Sequence, residues 1–332
     1  MSSKGKKHVL QWHILHRCNL HCTHCYQDEH SSELPFSELE RLLRQYMAFC
    51  DDYRFRGYIN ITGGEPLLSQ SLFPLLSLFE KNGITFGLLT NGTLIDKSVS
   101  DELSRFSRLS FVQVSIDGTR ETHDSIRGKG NFDKAFAGLH LLKKAGIQTM
   151  AAFTCHKRNY KELPDVIKLV RRHGIDRFWA DRLIPFGGNT EDILTDEQFR
   201  ETLRVLTKEH YRKPLFSRTD VHLNRSLQFL EGGDCYYRCG AGTTLLTLLA
   251  DGTLLPCRRL PIPIGNCLER DMLTLCKESP VITELALEKI PDDCIHCPKA
   301  HLCRGGAKCL AYAVSGKLDA KDINCYYTGD KK

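Results

Sequence analysis

The chain has 332 residues, 41% of them apolar, which is long enough for one barrel-sized domain followed by a smaller one. Its net charge of +6 comes from 46 basic and 40 acidic residues, and the basic residues occur only in short groups. Such groups favour a solvated surface over a nucleic-acid-binding stripe, so no nucleic-acid partner is expected.

No uninterrupted apolar run reaches the ~18 residues that a membrane-spanning helix needs, and the first residues lack the apolar core of a signal peptide. We therefore expect a cytoplasmic protein that does not contact membranes. In a reducing compartment its fifteen cysteines favour metal or cluster binding over disulfides, and ten of them lie at or after Cys235.

Short apolar runs alternate with helix-period stretches from about residue 9 to residue 187. The runs that predict buried strands are 9–14, 58–62, 85–90, 111–116, 149–154 and 177–180. Strand–helix alternation of this length predicts parallel strands joined by right-handed crossovers, and six such units make a partial (β/α)6 TIM-like barrel of the α/β class.

Helices are predicted between these strands. Ser37 and Glu40 have the spacing of a capping box at the start of the first helix, and Leu72 to Phe79 mark a second helix that Gly83 ends. Two more are predicted over 132–145 and 160–173.

The chain is predicted to have three regions. They are a barrel over residues 1–190, a helical connector over 191–233, and a small Cys-rich iron–sulfur cluster domain over 234–332, where turns and cysteines replace the strand–helix alternation.

Polar loops follow consecutive predicted strands, at the end of the barrel where active sites lie. The loop after the first strand contains Cys18, Cys22 and Cys25, spaced C-x3-C-x2-C, and the second strand is followed by Gly63-Gly-Glu-Pro66. Since iron–sulfur cubes usually have four Cys ligands, three cysteines leave one iron open to a ligand that is not protein.

Zinc is the alternative for this loop, with His16, His21 or His24 as a fourth ligand. The Gly-Gly-Glu-Pro turn after the next strand favours the cluster instead.

Together the three-Cys loop and the Gly-Gly-Glu-Pro turn resemble the radical S-adenosylmethionine (radical SAM) superfamily, in which the methionine part of the cofactor chelates the open iron. The resemblance implies that the methionine amino group meets Gly63, Gly64 and Glu65, and that the methionine moiety or ribose contacts Asn91 and Ser115. The resemblance extends less closely to Asp117, Arg127 and the backbone near Leu183 as further positions near the cofactor. His24 departs from the family, which usually has Tyr or Phe just before the third cysteine.

The later cysteines begin with C-x12-G-x4-C, from Cys239 to Cys257, and resemble the SPASM extension of radical SAM enzymes, which binds two auxiliary four-iron clusters. The resemblance implies an inner cluster on Cys235, Cys239, Cys257 and Cys309, and an outer cluster on Cys294, Cys297, Cys303 and Cys325. The implied cofactors are therefore S-adenosylmethionine and three 4Fe-4S clusters.

Two points qualify this assignment. Five residues separate Cys303 from Cys309 where the family usually has three, and structural zinc knuckles of the C-x2-C kind are an alternative. The cysteines that fit no ligand position, and that we predict to be buried inert thiols, are Cys50, Cys155, Cys267 and Cys276.

The resemblance implies that SAM is reductively cleaved to methionine and a 5′-deoxyadenosyl radical, which abstracts hydrogen from the substrate. Auxiliary clusters favour net oxidation, and the expected substrate is a peptide or protein that receives a crosslink or an oxidised side chain. Sulfatase maturation is disfavoured, because Arg258 follows Cys257 where those enzymes have Asp.

Besides the substrate, the expected partner is an electron donor such as flavodoxin or ferredoxin. Because the first strand starts near Val9, any leader peptide is expected to be held by a separate partner or by the barrel mouth itself.

Two alternatives stay open. The same chemistry on a small cofactor or tetrapyrrole, or in metalloenzyme maturation, would suit a carboxylate-binding chamber with Arg182, Arg258 and Arg259. A zinc-binding, non-enzymatic interaction module predicts zinc without iron and no SAM cleavage. The sequence identifies no catalytic acid or base, although Asp181, Tyr236 and Tyr237 lie where one is expected.

Overall fold

The structure is a computed structural model that describes residues 5–26, 33–186, 190–212, 217–223, 226–233 and 237–327. Its strands are β1 (Lys7–His13), β2 (Arg56–Thr62), β3 (Thr85–Thr90), β4 (Leu109–Ser115), β5 (Thr149–Cys155), β6 (Arg177–Arg182), β7 (Asp220–Val221), β8 (Leu245–Leu248), β9 (Thr253–Leu255) and β10 (Gly265–Asn266). Its α-helices are α1 (Phe36–Asp52), α2 (Leu72–Lys81), α3 (Lys97–Leu103), α4 (Arg120–Arg127), α5 (Asn131–Lys144), α6 (Leu163–Arg172), α7 (Asp196–Tyr211), α8 (Met272–Glu278), α9 (Pro280–Ala286), α10 (Ala300–Cys303) and α11 (Lys308–Ser315). Within these described ranges, no helix is long and apolar enough to cross a membrane.

The predicted strand–helix alternation is confirmed. Strands β1 to β6 each lie within two residues of the predicted bounds, and helices separate them in chain order. The fold is the predicted partial (β/α)6 barrel, in which successive parallel strands present their carboxyl ends at one edge.

The chain forms two compact units, and the first contains the residues up to Val114 together with Lys134–Gln148 and Gly240–Leu287. Its strands lie in the order β10-β9-β8-β1-β2-β3-β4. Strand β8 is parallel to β1, with Val9 opposite Leu245, whereas β9 and β10 are antiparallel. The sequence analysis missed β8, because its four residues are too few for a periodicity and they follow the point where the strand–helix alternation stops.

The core of this unit forms where helices cover the sheet. Trp12 in β1 is fully buried, and α1 buries Leu39, Leu42 and Tyr46 along one face. The predicted capping box at Ser37 is wrong. Helix α1 begins at Phe36, and its N-cap is Pro35, which has an extended conformation and no side-chain cap. Ser37 therefore lies inside the first turn.

The second unit contains Ser115–Asp133, Thr149–Cys239 and the residues from Glu288 onward. Strands β5, β6 and β7 are parallel neighbours, and Phe153 and Phe178 in the first two are buried. The predicted helical connector is helical mainly over α7, and β7 follows it as a short strand. The division at residues 190 and 233 stays a prediction.

Candidate functional site

The loop after β1 and the turn after β2 run side by side beyond the ends of their strands. The register pairs His13 with Thr62, and the ladder continues as Gly64 N–H donates to Leu15 O at 2.9 Å and Glu65 N–H to Arg17 O at 3.0 Å. The first unit therefore brings the Cys18 loop and the Gly-Gly-Glu turn together, as predicted.

The two glycines are required by this close approach. A Cβ on Gly64 would lie 2.2 Å from Arg17 O and 2.3 Å from His16 O. Gly63 has a φ of +153°, and a Cβ there would lie 2.5 Å from Leu15 O. No side chain fits at either position without moving the loop that contains the cysteines.

Glu65 fixes the ends of two strands. Its side chain is fully buried, and one carboxylate oxygen accepts hydrogen bonds from the Thr90 hydroxyl at 2.7 Å and Leu67 N–H at 3.1 Å. The other accepts from Asn91 N–H at 2.8 Å. The carboxylate therefore stabilises the turn from within, while contact between this turn and a methionine amino group stays a prediction.

Asn91 binds the cysteine loop. Its amide nitrogen donates to Asn19 Oδ1 at 2.9 Å and lies 3.9 Å from the Cys18 sulfur, while its oxygen accepts from Thr93 N–H at 2.9 Å. The family resemblance pointed to Asn91, whereas Asn19, Thr90 and Thr93 were not predicted from the sequence. The signal available was a cluster of short polar residues around Asn91-Gly92.

The three thiols of the loop form a donor set suited to an iron–sulfur cluster. Cys18 and Cys22 are half-buried, Cys25 is exposed, and none forms a disulfide. Burial raises the pKa of the Cys18 thiol, and the negative charges of Glu65 and Cys25 add to the rise, whereas the backbone N–H of Leu20 opposes it. Iron would compete with the proton for this sulfur.

Within the described ranges, no three His, Cys, Asp or Glu side chains are close enough to hold one metal ion.

Arg258 connects the first cysteine loop to the segment around Cys257. Its guanidinium donates to Tyr26 O at 2.8 Å and lies 4.3 Å from the centre of the Tyr26 ring. Tyr26 directly follows Cys25, and Arg258 directly follows Cys257, which is buried. The positive charge also acts on His13, whose pKa is lowered chiefly by burial and next by Arg258.

Four further predicted ligands, Cys294, Cys297, Cys303 and Cys325, belong to the second unit. Burial raises the pKa of Cys294 to about 11, and the negative charges of Cys325, Cys303 and Cys297 add to the rise. Burial also raises the pKa of Cys303, which the backbone N–H groups of Gly305 and Gly306 oppose. Charges on Cys325, Cys303 and Cys297 thus act on Cys294, and the assignment of the four thiols to one cluster stays a prediction.

The inner ligand set is divided between the two units. Cys239 and Cys309 are half-buried residues of the second unit, and Cys257 belongs to the first. Cys235 and Tyr236 lie outside the described residues. The assignment of these cysteines to one cluster stays a prediction.

Other predicted positions lie in the second unit. Ser115 is half-buried at the end of β4. The buried Asp117 carboxylate accepts from Arg127 Nε at 2.6 Å and Thr154 N–H at 2.8 Å. Asp117 and Arg127 are thus an ion pair that organises the ends of the strands.

The prediction that Arg182 could bind a substrate carboxylate is not supported, because its guanidinium forms a buried ion pair with Asp322 at 2.7 Å. The sequence analysis missed Asp322, since a single carboxylate three residues before Cys325 matches no motif.

The remaining cysteines are buried, as predicted. Burial raises the pKa of Cys50 to about 11 and the pKa of Cys155, Cys267 and Cys276 to about 12.

Comparisons with known proteins agree with this geometry. Residues 12–170 match the model of the radical SAM superfamily. The chain is 36% identical over 207 residues to Fe-coproporphyrin III synthase of Methanosarcina barkeri, a match that covers 61% of this chain and 51% of that protein. It thus spans about half the length of this relative.

Two other relatives match over most of the chain. AdoMet-dependent heme synthase of Methanosarcina barkeri is 26% identical over 98% of this chain and 97% of its own length. Mycofactocin maturase MftC of Mycobacterium tuberculosis is 27% identical over 95% of this chain and 82% of its own.

Among solved structures, Streptococcus suis SuiB bound to S-adenosylmethionine superimposes with a TM-score of 0.79 at 19% identity, over 97% of this chain and 78% of SuiB. This likeness shows that the two share a fold.

Proposed function

This chain is an enzyme of the radical SAM superfamily, whose domain occupies residues 12–170, and on that premise we propose that it reductively cleaves S-adenosylmethionine and oxidises a peptide or protein substrate. The observation that carries the proposal is the packing of the three-thiol loop against the Gly63–Gly64–Glu65 turn.

The thiols of Cys18, Cys22 and Cys25 would hold one four-iron cluster. None of them forms a disulfide, all three are at least partly exposed, and they lie on a loop that two strand ends and Asn91 fix in place. Backbone groups at the Gly63–Gly64 turn would meet the methionine part of SAM, because glycine lets a ligand approach the main chain closely.

When bound, the cluster and SAM supply a one-electron reduction of the sulfonium, which gives methionine and a 5′-deoxyadenosyl radical. The chain's own residues position the reactants. Glu65 joins the ends of β2 and β3, and Asn91 holds the Cys18 loop through Asn19. A fixed arrangement of this kind converts binding into the correct orientation for hydrogen abstraction and keeps water out.

Auxiliary clusters would accept the electron that the substrate radical loses. We assign Cys294, Cys297, Cys303 and Cys325 to one of them, because all four belong to the second unit and charges on the other three act on the Cys294 thiol. An electron donor such as flavodoxin or ferredoxin would supply the first electron.

The arginines bear on the choice of substrate. Arg182 is buried in an ion pair with Asp322, and Arg258 donates to the main chain at Tyr26. Both guanidiniums already bind protein groups, which weakens the case for a chamber that binds substrate carboxylates. This favours a peptide, in agreement with the mycofactocin maturase relative.

A tetrapyrrole substrate is the second candidate. It is favoured by Fe-coproporphyrin III synthase and AdoMet-dependent heme synthase, of which the second matches nearly the whole chain.

The test is SAM cleavage by anaerobically reconstituted protein with dithionite, measured as 5′-deoxyadenosine by chromatography. Changing Cys18, Cys22 and Cys25 together to alanine should abolish it. The matched control changes the buried Cys267 and Cys276 to alanine and should retain it. Cleavage that survives the triple change would contradict the proposal.

The substrate is then tested by supplying short Cys- or aromatic-containing peptides and iron coproporphyrin III separately. The first candidate is supported if a peptide, but not the porphyrin, accelerates 5′-deoxyadenosine formation and gives a product whose mass is lower by two hydrogens. Loss of propionate carboxyl groups from the porphyrin supports the second candidate as a heme synthase, since Fe-coproporphyrin III is by name the product of the other relative.

A further inference from the structure

Arg182 and Asp322 form a buried ion pair in the second unit, and Asp322 lies three residues before Cys325. Arg182 is 5% exposed and Asp322 is 0% exposed. The guanidinium binds both carboxylate oxygens, at 2.8 Å and 2.7 Å, in the planar two-armed geometry that makes Arg–carboxylate pairs specific. Arg182 ends β6 and also stacks on the Phe199 ring at 4.1 Å, so a rigid strand and helix fix its position.

Asp322 connects the two cysteine segments that flank it. Its carboxylate accepts from Ala307 N–H at 2.8 Å, and its own N–H donates to Gly305 O at 2.8 Å. Its carbonyl oxygen accepts from Cys325 N–H at 3.0 Å. Asp322 thus binds the loop between Cys303 and Cys309 on one side and the turn into Cys325 on the other.

The longer loop between Cys303 and Cys309 depends on this contact. Gly305 and Gly306 both have positive φ, +85° and +87°, and a Cβ on Gly306 would lie 2.6 Å from the Cβ of Asp322. The loop therefore lies directly on Asp322, which gives its extra residues a fixed path.

Asn324 strengthens the same arrangement. Its side-chain oxygen accepts from Arg182 at 2.9 Å, and its amide donates to Leu194 O at 3.0 Å. Cys325 is therefore preceded by two residues that attach it to β6 and to the start of α7. On its other side, the Tyr326 hydroxyl donates to Glu231 at 2.8 Å.

We propose that Arg182 and Asp322 are positioning residues for the auxiliary cluster held by Cys294, Cys297, Cys303 and Cys325, and that their two charges set its reduction potential. The inference rests on the auxiliary clusters of the proposed function. An iron–sulfur cluster gains negative charge when it is reduced, so a nearby carboxylate opposes reduction and a nearby guanidinium favours it. With both charges present, the effects oppose each other.

The test is an EPR-monitored redox titration of the full chain in which Cys18, Cys22, Cys25, Cys239 and Cys257 are alanine, so that only the signal of the cluster on Cys294, Cys297, Cys303 and Cys325 remains. Asp322→Asn leaves the Arg182 cation unbalanced and should shift the auxiliary potential to more positive values. Arg182→Met leaves the carboxylate unbalanced and should shift it to more negative values. A merely structural role would not give shifts of opposite sign.

Two further variants guard against misfolding. Arg182→Lys keeps the charge but loses the two-armed geometry, and we expect a potential near that of the parent with altered g values. The matched control is Glu209→Gln, which breaks the largely buried Arg171–Glu209 ion pair of the same unit and should lower thermal stability without moving the potential.

The outcomes separate the two proposals. Protein with all three cluster sites intact that binds only about four irons overturns the auxiliary clusters and this inference with them. If it binds about twelve irons, and both single variants keep the parent potential or shift it in the same direction, only the positioning role is overturned. If Asp322→Asn and Arg182→Met do not fold, an Arg182→Lys signal identical to that of the parent overturns it.

Discussion

At the scale of single residues, the site depends on two glycines as much as on its polar side chains. Gly63 and Gly64 are identifiable from the sequence as a strand-end turn, because that motif requires glycine. The sequence does not reveal why glycine is needed, since the carbonyl groups of His16 and Arg17 that would collide with a Cβ lie about 47 residues earlier in the chain.

Gly64→Ala tests this close approach. A Cβ there would lie 2.2 Å from Arg17 O, so the cysteine loop must shift, and we expect 5′-deoxyadenosine formation to fall at least ~10-fold, about 1.4 kcal/mol or more in the barrier. The measurement is the initial rate with saturating SAM.

Gly146→Ala is the control for this change. Its φ is +75° and no atom lies within 4 Å of the added Cβ, so we expect a loss of about 1–2 kcal/mol in unfolding free energy and an unchanged rate of cleavage. Equal rates in both variants would show that the packing at Gly64 has no part in the reaction.

At the scale of elements, helix α1 packs on β1 through a buried polar contact. His8 Nδ1 lies 3.2 Å from the Tyr46 hydroxyl, and the His8 ring stacks on Phe55 at 5.1 Å. The apolar face of α1 follows from its periodicity. The position of the helix start does not, because Pro35 replaces the expected Ser37 cap and a proline at this place leaves no side-chain signal.

This contact predicts how stability changes with pH. Burial lowers the pKa of His8 to about 4, from an ordinary value of 6.5. Above pH 6.5 the His8 imidazole is neutral in both the folded and the unfolded chain. Between pH 6.5 and 4 the imidazole is protonated in the unfolded chain but stays neutral in the folded chain. The unfolding free energy should therefore fall as the pH drops from 6.5 toward 4, by about 2 kcal/mol at pH 5.

His8→Phe keeps a ring in place and removes this titration. Urea unfolding followed by circular dichroism at pH 7, 6 and 5 should show a shallower loss of stability in the variant, with its own pH 7 value as the reference for altered packing. Parallel losses in the two proteins would contradict the assignment to His8.

At the scale of the whole molecule, we predict that the cysteines divide into iron ligands and inert thiols. Motif spacing predicts Cys18, Cys22 and Cys25 and the group around Cys294 as ligands, because ligands must recur at intervals that a loop can span. Spacing gave no account of Arg182 and Asp322, which are 140 residues apart and meet only in the folded chain. The same is true of β8, whose four residues become recognisable only through pairing with β1.

Iron content tests this division. We expect about twelve irons per reconstituted chain, about eight when Cys18, Cys22 and Cys25 are alanine, and about eight when Cys294 and Cys303 are alanine instead. Replacing Cys50 and Cys155, whose buried thiols have pKa values raised to about 11 and 12, should leave the iron content unchanged. Iron lost from that control would mean that a thiol assigned to packing is a ligand.

The parallel pairing of β8 with β1 affects how the protein can be divided. Val9 to Trp12 place one row of main-chain groups against β2 and the opposite row against Leu245 to Leu248. A fragment that ends before Gly240 lacks β8, so the second row of main-chain groups would lose its hydrogen-bond partners. The exposed strand edge of β1 could then pair with a strand of another chain. Expressed alone, the N-terminal portion should therefore aggregate or oligomerise through this edge. The Cys-rich C-terminal region would thus cover the edge of β1 in addition to its proposed role in binding clusters.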